Sequence, residues 1–105
     1  MMKKNMIQNP ARVREVALLG NPNTGKTTIF NALTGLRHST ANYPGVTVEK
    51  RLGEMTLPGG ERVSVLDLPG AYSLLPRSPD EEVVHDVLFG IRKDTPPPDL
   101  VVLIL

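Results

Sequence analysis

Gly20-Asn21-Pro22-Asn23-Thr24-Gly25-Lys26-Thr27 follows the apolar run Val16-Ala17-Leu18-Leu19 and precedes Thr28-Ile29-Phe30. The octet fills every fixed position of G-x-x-x-x-G-K-[ST]. Its context, a buried strand before and a helix after, is the one in which that pattern carries meaning. There the backbone N–H groups of residues 23–27 converge at a helix N-terminus, where the dipole favours anions. Gly20 permits the turn, and Gly25 lets the backbone approach phosphate oxygens. Lys26 supplies a point charge for β- and γ-phosphates, and Thr27 a hydroxyl for Mg²⁺. The competing reading is a plain strand–helix turn with an exposed lysine, and the complete motif in its context outweighs it.

Working outward, residues 16–19 read as a buried parallel strand ending at Gly20. Residues 26–36 read as a helix with Ile29, Phe30, Leu33 and Leu36 on one stripe and Gly35 at its C-terminal end. Residues 37–46 are polar and read as a loop. Residues 46–57 are strand-like, with Lys50 and Arg51 suggesting a solvated or edge position. Pro58-Gly59-Gly60 is a turn, and residues 62–66 complete an antiparallel hairpin. Ser78, Pro79 and Glu81 form a capping box that opens a helix with the stripe Val83, Val84, Val87, Leu88 and Ile91. Pro96-Pro97-Pro98 breaks the chain. Residues 100–105 read as a further buried strand, in which the sequence stops. The expected organisation is a flexible lead-in over 1–14 and one domain over 15–105, cut inside a core strand. The expected fold is α/β of the P-loop NTPase type: a three-layer sandwich, mostly parallel, with one antiparallel hairpin strand.

Asp67-Leu68-Pro69-Gly70 ends the second hairpin strand and follows D-x-x-G. An Asp at a strand's C-terminal end beside the phosphate loop can hold Mg²⁺ through water. Gly70 can present its N–H to the γ-phosphate without a Cβ in the way. The next residue is Ala71, where many GTPases carry a water-orienting Gln. Alanine cannot orient water, so hydrolysis is slow or another group does that work. A second Mg²⁺ ligand should lie between helix and hairpin, and Thr40 and Thr47 are the candidates. Thr47, within Tyr43-Pro44-Gly45-Val46-Thr47-Val48-Glu49, is favoured, in a loop that orders with triphosphate.

Composition narrows the remaining possibilities. The 105 residues are 40% apolar and 22% charged with a net charge of +1, so the chain is globular and carries no general pull toward nucleic acid. Aromatics are 4% without tryptophan, which offers no stacking platform for single strands. Cysteine is absent, excluding disulfide partners and thiolate metal sites. No run approaches the roughly 18 apolar residues that span a bilayer. His38 and His85 lie in different elements without tight metal spacing. Asp80, Glu81 and Glu82 suit a helix N-terminus without a ligand role.

GNPNTGKTTIFNALTG (20–35), NYPGVTVEK (42–50), DLPGAYSL (67–74) and SPDEEVVHD (78–86) together resemble the G domain of FeoB-type ferrous iron transporters. Asn21 and the PGVTVE sequence separate this likeness from ribosome-assembly GTPases with similar loops. The resemblance implies a GTP-binding and GTP-hydrolysing module on the cytoplasmic face of the membrane, fused to permease helices that carry Fe²⁺. It implies nucleotide contacts from Gly20, Asn21, Pro22, Asn23, Thr24, Gly25, Lys26, Thr27 and Thr28, from Gly45, Val46 and Thr47, and from Asp67, Leu68, Pro69 and Gly70. Mg²⁺ would sit on Thr27, Thr47 and Asp67. K⁺ would sit on Asn23, its charge standing in for an arginine finger, so that Lys26, Asn23, Thr47 and Gly70 serve hydrolysis. An apolar residue at the place of Ala71 is shared with the family. The N-K-x-D guanine-reading motif and the permease helices are absent from these residues. The stretch alone is therefore expected to bind weakly and with little preference for GTP over ATP. The alternatives are a ribosome- or RNA-associated GTPase and an inactive truncation product. Oligomeric state is left open by the sequence.

Overall fold

The computed structural model describes residues 13–20, 25–69 and 78–105. Among the described residues, five strands and two helices follow in order: β1 (Glu15–Gly20), α1 (Lys26–Thr34), β2 (His38–Asn42), β3 (Glu49–Thr56), β4 (Arg62–Asp67), α2 (Pro79–Leu88) and β5 (Leu100–Ile104). They form one sheet in the order β2-β3-β4-β1-β5. β1 pairs in parallel with β4 and β5, while β3 runs antiparallel to both β2 and β4. β3 is thus the one strand directed against the other four.

The alternation of side chains along the central strands divides the core in two. Val16 and Leu18 of β1 and Val63 and Val65 of β4 pack with Phe30 of α1 and Ile104. Ala17 and Leu66, from the opposite faces of the same strands, pack with Val83, Val84 and Val87 of α2 and with Tyr43, Val48 and Leu68. One helix covers each face, which gives three layers.

Both helices end where their chemistry dictates. Gly35 adopts φ 61° at the C-terminus of α1, and its N–H bonds Asn31 O. The helix therefore stops at Thr34, short of the expected Leu36. Of its expected stripe only Phe30 is buried; Ile29, Leu33 and Leu36 are exposed. Ser78 Oγ accepts from Glu81 N at 3.2 Å, the cap the sequence announces for α2. That helix buries Val83, Val84 and Val87, whereas Ile91 lies past its end and is exposed.

Three expectations for the strands are corrected. Residues 37–46 are not all loop, because His38–Asn42 pairs with β3 from His38↔Gly53 to Asn42↔Glu49. All five of its residues are exposed, so pairing comes from the backbone and leaves no apolar alternation to read. β3 lies inside the sheet and not at its edge. Lys50 and Arg51 are half-buried there, the ammonium of Lys50 reaching Thr95 Oγ1 at 3.0 Å. β5 occupies the edge, with Leu100, Val101, Val102 and Leu103 exposed and only Ile104 buried. No helix among the described residues packs over it, which is why its apolar run is not core.

Tyr43 is the largest fully buried side chain. Its N–H donates to Val48 O (2.8 Å), and Val46 N to Tyr43 O (3.2 Å). Gly45 sits at φ 83° behind Pro44, the arrangement of a type II turn. Lys50 Nζ and the Arg92 guanidinium lie 5.5 and 5.4 Å from the ring centroid, within cation–π range. Arg92 also donates to Pro44 O at 2.6 Å and pairs with Asp94, whose carboxyl is held below its ordinary range by hydrogen bonds from Arg92 and Thr95.

Two measurements test this packing. A Cβ on Gly53 would lie 2.6 Å from Thr34 Cγ2 and 3.0 Å from the Arg37 carbonyl oxygen. Gly53→Ala should lower stability by about 1–3 kcal/mol in a denaturant melt. Thr34→Ala should recover only part of that loss, since the Arg37 oxygen is backbone. The second measurement concerns the Tyr43 hydroxyl, which is buried with no hydrogen-bond partner among the described residues. Burial pushes this phenol up to about 12; the charge of Arg92 opposes the rise, and Asp67 and Asp94 add to it. The folded state therefore keeps a proton that the unfolded chain loses above its ordinary value of 10.0. The sign follows: stability is full below that value and falls as pH climbs toward 12, by up to about 1.4 kcal/mol per pH unit. Tyr43→Phe should raise stability at neutral pH by about 1 kcal/mol and remove this component of the alkaline loss. Equal alkaline melts of the two proteins would refute the assignment.

Candidate functional site

The carboxyl ends of β1 and β4 lie side by side, with Leu18 paired to Asp67. In open α/β sheets the crevice beyond such ends is where ligands bind. Gly25 leads into α1 at φ 80°, a left-handed conformation that penalises any Cβ although the space around it is open. The first turn of α1 has no capping side chain and no acidic residue. Its positive end therefore meets no carboxylate of its own helix.

Lys26 follows, 6% exposed, and Asp67 at the end of β4 is 7% exposed. Lys26 Nζ donates to Asp67 Oδ1 at 2.5 Å and to Leu68 O at 2.7 Å. These residues line a cavity of about 230 Å³ together with Thr27, Glu49, Arg51, Pro69 and Asp80. Arg51 NH1 lies 4.0 Å from Asp67 Oδ2, and Arg51 Nε donates to Glu49 Oε1 at 3.2 Å. Among the described residues the lining carries two cations (Lys26, Arg51) and three carboxylates (Glu49, Asp67, Asp80), a balance of −1.

The structure thus brings Lys26, Thr27, Asp67, Leu68 and Pro69 to one cavity. Gly20 is buried at the end of β1, and Thr28 is exposed on α1 away from the lining. Gly45, Val46 and Thr47 lie outside the lining as well; Thr47 is exposed in the turn before β3, and Val46 rests half-buried on the core. Thr40 belongs to β2 and is exposed. Asn21, Pro22, Asn23, Thr24, Gly70 and Ala71 lie outside the described residues. His38 stacks on Phe30 with ring centroids 5.0 Å apart, and His85 contacts Asp86 at 3.0 Å.

Sequence reasoning missed Glu49, Arg51 and Asp80. A signal for Arg51 was present. A hairpin centred on Pro58-Gly59-Gly60 sets Arg51 opposite Asp67 by counting outward, as the register shows. Asp80 was assigned to the helix dipole alone, and the crossover that carries α2 past the cavity is a tertiary fact.

Residues 14–105 match the family described as ferrous iron transport protein B. The chain is 52% identical over 91 residues to the Fe(2+) transporter FeoB of Methanocaldococcus jannaschii, which covers 87% of this chain and 13% of that protein. It is 52% identical over 73 residues to the Staphylococcus aureus transporter, covering 70% of this chain and 10% of that one. The crystal structure of the G domain of the T. maritima FeoB iron transporter superposes with a TM-score of 0.76 at 47% identity, covering 89% of this chain and 55% of that one. The GMPPNP form of the T. maritima cytosolic domain gives 0.74 at 48% identity, covering 84% of this chain and 32% of that one. The chain therefore spans a small part of the transporters it matches, and it belongs to the FeoB family of ferrous iron transport proteins, within the G-domain portion.

Proposed function

We propose that the chain is the phosphate-binding part of a Mg²⁺-dependent GTPase module that serves a ferrous iron transporter. The observation that carries this reading is the convergence of Lys26, Thr27 and Asp67 on one cavity at the strand ends. Relatives of 47–48% identity include structures in GMPPNP and GDP forms, which supports guanine nucleotides as ligands. Fe²⁺ is the cargo, moved by permease helices of the full-length protein at the cytoplasmic membrane. Among the described residues no helix is long and apolar enough to cross a membrane.

The donor set suits Mg²⁺. Carboxylate and hydroxyl oxygens are what this hard cation takes, and Asp67 already holds a cation, the Lys26 ammonium. A bare triphosphate entering a lining with a balance of −1 is repelled unless it brings positive charge. Asp67 and Thr27 would hold the ion, with Thr47 joining from its loop. Mg²⁺, when bound, neutralises charge that develops on the β- and γ-phosphate oxygens. Lys26 gives its ammonium to the same phosphates, Gly25 and the start of α1 give backbone N–H groups, and Gly70 offers its own N–H. Asn23 holds K⁺ in this reading, the ion's charge standing in for an arginine finger at a site where Ala71 cannot orient water. Equal turnover in K⁺ and Na⁺, in both wild type and Asn23→Ala, would remove the K⁺ role.

Titration of Mg²⁺ with GTP, GDP and ATP into the full chain tests the assignment. Lys26→Ala should weaken triphosphate binding by roughly ten- to a hundredfold, the loss of one charge-assisted contact being worth roughly 1.5–3 kcal/mol. Unchanged affinity would overturn the site. Thr47→Ala should weaken GTP more than GDP, because its contacts arise only with a γ-phosphate. Equal weakening of both nucleotides would take that role from Thr47.

A further inference from the structure

Asp67 uses its two carboxylate oxygens differently. Oδ1 accepts from Lys26 Nζ, while Oδ2 faces the Arg51 guanidinium at 4.0 Å. In the nucleotide-bound state proposed above, Lys26 turns to phosphate and Asp67 exchanges that partner for Mg²⁺, so only a contact that stays through the exchange keeps the carboxylate oriented. A carboxylate only 7% exposed has little water around it to take over when a partner moves away, so its position depends on the polar groups beside it.

We propose that Arg51 is the positioning residue of Asp67, the counter-charge that holds the carboxylate in place once Lys26 turns to phosphate. Three observations place it there. Arg51 and Asp67 are direct partners in the β3–β4 register, so their side chains leave the sheet on the same face. β3 is an interior strand, paired on both sides, so its guanidinium does not depart with the turn that carries Thr47. Glu49, two residues back on the same face, accepts from Arg51 Nε at 3.2 Å and leaves NH1 directed at Asp67. The planar fork of a guanidinium suits a carboxylate. One cation of the Asp67 pair is thus free to move, and the other is carried by the rigid sheet.

This inference rests on the nucleotide reading, and its test separates the two. Mg²⁺·GMPPNP is titrated into the full chain as wild type, Arg51→Ala, Arg51→Lys, Asp67→Asn and the Arg51→Ala/Asp67→Asn double variant. Melting of each protein without nucleotide is followed in parallel. Arg51→Ala should weaken binding about tenfold, and Arg51→Lys should recover most of that loss. In the Asp67→Asn background, removing Arg51 should cost nothing further, since the pair acts as a unit. The nucleotide-free melt of Arg51→Ala should match wild type, because Lys26 still holds Asp67 in that state. A wild type that binds no nucleotide overturns the nucleotide reading and this inference with it. If wild type binds, unchanged affinity in Arg51→Ala overturns the positioning role alone. An equal loss with and without Asp67 assigns Arg51 to the phosphate itself and overturns it too. A nucleotide-free melt that falls in step with affinity makes Arg51 merely structural.

Discussion

An ammonium and a carboxylate meet at 2.5 Å with both side chains almost entirely out of water. Removing two charges from water costs several kcal/mol per ion, and their attraction only balances that cost when the geometry is close and the remaining hydrogen bonds are made. The carbonyl of Leu68 supplies one of those bonds to Lys26. This contact ties the first residue of α1 to the last residue of β4, joining the helix layer to the sheet at the cavity. Much of the surrounding design serves it. The glycine before Lys26 turns the chain into the helix at a positive φ, the parallel pairing of β1 with β4 brings the two segments together, and the interior position of β3 sets a second cation alongside.

The legible parts of the sequence were those governed by local chemistry. The glycine stop of α1, the Ser78 cap of α2 and the hairpin over Pro58-Gly59-Gly60 each depend on residues a few positions apart, and each appears where the local rule puts it. The central strands were legible because both of their faces are buried by helices and must be apolar. The illegible parts depend on what a segment meets after folding. β2 has no buried face, so its five residues carry no period-two signal and look like loop. β5 has the composition of a core strand yet lies at an edge, and composition does not record neighbours.

The candidate site divides along the same line. Lys26, Thr27 and Asp67 were readable because strand–loop–helix geometry fixes the first two and a strand end fixes the third. Glu49 and Arg51 looked like solvated charges because an isolated strand gives no hint that the opposite residue is a buried carboxylate. Thr47 was placed correctly in the chain but lies outside the cavity lining, since the turn around Gly45 holds it in solvent. Cavity membership and motif membership are separate properties, and only the second can be read without coordinates.

That turn carries one further consequence. The bond from Tyr43 N to Val48 O closes the segment at its base, and Arg92 fastens Pro44 from outside. Between those anchors lie only residues 45–47. Fixing backbone costs about 1–2 kcal/mol per residue, so re-ordering this three-residue arm around a ligand costs several times less than re-ordering the whole connection from α1 to β3 would. The buried tyrosine thus acts as a pin: it anchors the base of a short arm to the core while the tip of that arm stays in solvent.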